Sequence, residues 1–159
     1  MRMTFSPDLA SKIIDDALPW SEAPQFDIRA FLQRYSLHDS AWLGLHINCA
    51  SNDSATALIR FDPVWNSSVS APTSLLAEWP FLLLRFTCVS SIQLSGFADI
   101  RGAFDRAISS AAVEAISEEE VVTTLDDIYG GVVTLRHFPL VDALVLSPEG
   151  EVLRLSNEA

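Results

Sequence analysis

Three histidines, His38, His46 and His137, bound the acid–base and metal chemistry open to this chain. His38-Asp39-Ser40 places side by side an imidazole, a carboxylate able to orient and charge it, and a hydroxyl that could be activated. Neighbours in sequence point their side chains apart, however, and catalytic triads assemble from distant segments. The same residues suit a helix-to-strand corner, where Asp39 and Ser40 satisfy backbone groups and His38 hydrogen-bonds beside them. A metal centre would need His46 or His137 to converge with Asp39 or Asp62, because no HxxxH or HExxH spacing occurs. Asp126-Asp127 precedes Ile128-Tyr129-Gly130-Gly131, which lacks the GxxxxGK[ST] or GxGxxG setting of a phosphate cradle. The pair is expected to cap a turn, with the glycines relaxing the backbone. No catalytic residue, metal or cofactor is assigned.

Tryptophan offers a different signal, since it is enriched at binding hot spots and also packs beneath loops. Trp65 and Trp79 bracket a long loop, Trp42 opens a strand, and Trp20 lies between Pro19 and Pro24. Together with His38 and Asp39, Trp65 and Trp79 are the candidate binding residues.

The elements that must position these groups form an α+β fold. We expect an antiparallel β-sheet of about five to seven strands with N-terminal helices packed on one face. All 159 residues are read as one domain, with a helical lead-in over 1–35 and mainly β structure over 41–155. Ser6-Pro7-Asp8 has the order of an N-cap, a first-turn proline and a dipole-matched carboxylate, and the helix it opens should run to Pro19. Ile28, Phe31, Leu32 and Tyr35 predict a second helix from about Asp27. Alternation then predicts strands over 42–49 and 57–62, joined by the polar turn 50–54. Residues 63–80 form a long loop, with room for a short helix near Ser74 to Glu78. Phe81 to Val89 is near-continuously apolar and belongs in mid-sheet, with Ile92 and Leu94 extending it past a bulge. Residues 99–122 fit a helix to about Ala111 and strand or irregular structure after it. Val132 to Phe138 is a strand, and Ser147-Pro148-Glu149-Gly150 is a type I turn between two more.

Charge and composition narrow the partners. Lys+Arg total 10 against 21 Asp+Glu, a net charge of −11. That balance excludes a phosphate-neutralising surface and disfavours anionic membranes, while drawing basic partners. It also serves solubility alone. Cys49 and Cys88, in apolar stretches without CxxC spacing, suit a reducing compartment and buried thiols, with a single disulfide as the alternative. With no apolar leader over Met1 to Pro7, a cytoplasmic location is expected.

Tyr35-Ser36-Leu37-His38-Asp39-Ser40, the two strands after it, and the later Leu84-Arg85-Phe86 strand resemble the opening of a group of small bacterial proteins. That group has an LHDS-type start and is similar to immunity proteins of polymorphic toxin systems, small acidic proteins that bind and silence a toxin. The resemblance spans about residues 35–94 and implies a protein partner but no catalytic residue. It predicts a non-enzymatic acidic protein-binding domain that neutralises a basic partner. Two competing readings remain: a small enzyme or metal-binding protein using His38 and Asp39 with His46 or His137, and a subunit of a larger assembly marked by one apolar patch.

Overall fold

A computed structural model describes residues 7–50, 53–63, 66, 78–96 and 106–155. The predicted cap Ser6, most of the long loop including Trp65, and the first part of the expected helix over 99–111 lie outside these residues.

Helix α1 (Pro7–Ile14) is shorter than its apolar stripe predicts. Asp16 adopts φ +52°, and the Asp16 and Ala17 N–H groups donate to Ile13 O and Lys12 O. These two bonds form a Schellman motif, which ends the helix well before Pro19. Strand β1 (Gln25–Asp27) leads into helix α2 (Ile28–Arg34). Asp27 caps α2 by accepting from the Arg29 and Ala30 N–H groups at 3.0 and 3.2 Å.

Nine further strands follow: β2 (Ala41–Asn48), β3 (Ser54–Arg60), β4 (Phe81–Phe86), β5 (Ser91–Ser95), β6 (Arg106–Ala115), β7 (Val121–Asp127), β8 (Val132–His137), β9 (Leu140–Leu146) and β10 (Val152–Leu153). They form one sheet of ten strands in the order β1-β9-β4-β3-β2-β6-β7-β8-β5, with β10 on β9. Every pairing is antiparallel. The antiparallel architecture agrees with expectation, whereas the strand count exceeds the five to seven predicted.

Three differences account for the excess. Ile92 and Leu94 do not extend β4; they lie in β5, across a corner where Cys88 takes φ +50°. Gly96 ends β5 at φ +76°, with a hypothetical Cβ only 2.2 Å from Gly130 O, so no other residue fits there. Residues 106–111 are strand rather than helix, because Ile108, Ala111 and Val113 face the core with strand period after a bulge. And β1 is too short to leave a periodic signal.

The sheet folds over on itself. Strands β2 and β6 pair only through Ala41–Ala107 and Trp42–Arg106, and the two halves diverge from that junction. One core joins them: Ala57, Ile59, Leu84, Phe86 and Val145 from the first half meet Ile108, Leu125, Val133 and Leu135 from the second. Helix α2 plugs this core with Ile28 and Phe31, and Phe31 stacks on Tyr35 at 5.1 Å. On the opposite face of the first half, Leu58, Leu83, Leu144 and Leu146 pack beneath Leu9, Ile13 and Leu18. The two helices therefore cover opposite faces, not one shared face as expected. Burial on both faces explains why β3 and β4 read as continuous apolar runs.

Candidate functional site

His38 and Asp39 sit at the corner between α2 and β2. Buried Tyr35 and Leu37 anchor the chain, and Ser40 N donates to Leu37 O to close the turn. Asp39 takes φ +63°, which an Asp tolerates better than most residues. Its N–H donates to Ile108 O at 2.9 Å, and Ile108 N donates to Ser40 O at 2.7 Å, so the corner continues the β2 ladder along β6. Half-exposed, His38 places Nδ1 3.3 Å from Ser109 O and Nε2 3.4 Å from Asp39 Oδ2. Ser40 is fully buried, and its Oγ accepts from Asp62 N at 2.9 Å. The hydroxyl faces inward and the imidazole outward, an arrangement of a structural corner rather than an activated nucleophile.

The other histidines lie elsewhere. His46 lines an apolar groove of about 210 Å³ between α1 and the β2–β3 hairpin, with Ile13, Leu43 and Thr56. His137 is buried in the core, edge-on to Phe86 at 4.6 Å. Its Nδ1 donates to Phe138 O, which leaves Nε2 to accept from Thr123 Oγ1, both at 2.7 Å. Burial lowers its pKa and keeps the ring neutral. Thus neither His46 nor His137 joins His38 and Asp39, and no group of three His, Cys, Asp or Glu among the described residues could hold a metal.

Trp79 is half-buried, and its carbonyl accepts from the buried Arg60, whose guanidinium lies 3.6 Å from the Phe81 ring centre. Trp20 instead covers Arg85 at 4.3 Å while Arg85 pairs with Asp142 at 2.8 Å, a cluster the sequence did not disclose. Cys49 and Cys88 are both free and exposed at turns, not buried in strands as expected. Asp127 does cap its turn, accepting from Tyr129 and Gly131 N–H groups at 2.8 Å.

A second feature adjoins the His38 corner. From Ala107 to Leu135 the chain carries Glu114, Glu118, Glu119, Glu120, Asp126 and Asp127 and not one Lys, Arg or His. This stretch contains nearly all of β6 and all of β7, and Glu114, Glu118 and Glu119 are exposed. Glu120 pairs with Arg136, whose hydrogen bond holds its carboxyl below the usual range. At the other end of the hairpin, after Asp126 and Asp127, Ile128 and Tyr129 are 55% and 53% exposed. A segment-by-segment charge count could have located this surface from the sequence alone.

Comparison of the chain with known protein families, curated proteins and solved structures gives no match. Among the described residues no helix is long and apolar enough to cross a membrane.

Proposed function

We propose that the protein is a non-enzymatic acidic binding domain that occludes a basic protein partner, in the manner of the immunity-like proteins its LHDS segment resembles. The observation that carries this reading is the β6–β7 hairpin region, where the stretch from Ala107 to Leu135 has no Lys, Arg or His and, with Glu120 paired to Arg136 and Asp127 buried in its turn, exposes Glu114, Glu118 and Glu119. A one-signed field of that kind steers a partner of opposite charge and sets its orientation on encounter. Ile128 and Tyr129 add the desolvated contact that charge alone does not supply. The location of His46 and His137 away from His38 supports binding over catalysis.

The test is capture of the partner from the source cell, followed by association kinetics over a range of salt. The reading expects a partner of high isoelectric point whose association slows as salt rises. Changing Glu114, Glu118 and Glu119 to Gln should slow it at low salt and flatten the salt dependence. A neutral or acidic partner, or association indifferent to both salt and these substitutions, contradicts the reading.

A further inference from the structure

We infer that the outer edge of β6 receives an extended, basic segment of the partner as an added antiparallel strand. The inference rests on the basic-partner reading above and specifies where and how such a partner binds. Its ground is the hydrogen-bond parity of β6. Ile116 N donates to Glu120 O at 3.0 Å, in register with the pairs Glu114–Val122 and Ala112–Thr124. In an antiparallel ladder bonded pairs alternate, so Ser110, Ala112, Glu114 and Ile116 spend their backbone groups on β7. The N–H and C=O groups of Ala111, Val113 and Ala115 therefore point to the opposite edge. The ladder on that side stops at Ile108, which bonds Asp39 and Ser40, and at Ser109, whose carbonyl faces His38. Beyond it, β7 is the only strand paired with β6 among the described residues.

Edge strands are usually blunted by lysine, proline or bulky charged groups. The sequence of β6 after Ser109 is Ser-Ala-Ala-Val-Glu-Ala, with small side chains that leave the backbone accessible and Glu114 as its lone charge. The side chains of Ala111 and Val113 pack on the core, which holds the edge in place. Main-chain bonding then supplies affinity, and charge selects the occupant. Glu114, Glu118 and Glu119 favour lysine or arginine on the added strand and oppose a second copy of this chain, which would set like charges together. Strand β5 lies at one end of the sheet order, yet Ser91–Ser95 carries no charge and selects nothing of that kind.

The probe is a peptide of alternating lysine and valine, matched to Ser110–Ala115, the part of β6 past its pairing with β2. Its comparators are a peptide of alternating glutamate and valine, and the lysine peptide with every backbone amide N-methylated, which keeps charge but has no main-chain N–H donors. Anisotropy titration should show binding of the lysine peptide, with new amide-exchange protection at Ala111, Val113 and Ala115. N-methylation of the probe, or Val113→Pro in the protein, should weaken binding at least about tenfold, as loss of main-chain hydrogen bonds requires. Val113→Pro removes an outward N–H and no bond to β7, and the N-methylated probe repeats the test on the unaltered protein. Salt-sensitive binding that survives N-methylation, or protection that falls on β5 instead, overturns strand addition and leaves the basic-partner reading standing. Dimerisation of the protein through β6 also overturns it. If the lysine peptide binds no better than the glutamate peptide, the basic-partner reading falls as well.

Discussion

Strands β3, β4 and β9 differ from β6, β7 and β8 in how many of their faces are dry. In β3 every residue from Ser54 to Arg60 is buried, while β7 alternates buried and half-buried positions along its length. The first group lies between α2 with the main core on one side and α1 on the other. The second has the core beneath it and water above. Apolar burial collects in the first half, and exposed carboxylates and, among the described residues, an unpaired strand edge in the second. The first half supplies most of the doubly buried strands, and the proposed binding surface falls on the second.

That contrast can be strained from either end. Phe86→Ala, deep in the core, should cost about 3–5 kcal/mol of unfolding free energy in denaturant titrations. A loss near zero would mean that the two halves do not share one core. His137, at the seam, gives a weaker and pH-dependent effect. Burial depresses its folded pKa, so below its ordinary value of 6.5 the unfolded chain binds the proton more readily. Its contribution is therefore complete above that pH and declines as pH falls towards the folded pKa, with a slope of at most about 1.4 kcal/mol per pH unit. Denaturant midpoints on both sides of pH 6.5 should reveal the decline, and His137→Gln should reduce it; an unchanged slope in the variant would assign it to other groups. Thr124→Ala, on the wet face of β7, should change stability by no more than about 0.5 kcal/mol.

How legible each half was in the sequence follows from the same physics. The β2–β3 and β9–β10 hairpins declared themselves through alternation and turn chemistry, and the buried run of β4 through its unbroken apolar character. The β6 strand did not, because its alanines suit a helix and strand period emerges only past the bulge between Ile108 and Ser110. Strand β5 was hidden by the corner at Cys88, where a positive φ sends the chain to the other half. His38 and Asp39 were recognisable as a pair from their adjacency. That His38 meets β6 where its pairing with β2 ends depends on a contact with Ser109, a residue 71 positions away, which no local pattern encodes.

Residue-resolved amide exchange of the free protein tests the division most directly. Strands β3, β4 and β9 should exchange only through global unfolding. Along β6, Ala112 and Glu114 should be protected while Ala111, Val113 and Ala115 exchange quickly, giving alternation one residue deep. Uniform protection through Ala111 to Ala115 would mean that this edge is already occupied and has no backbone to offer a partner strand.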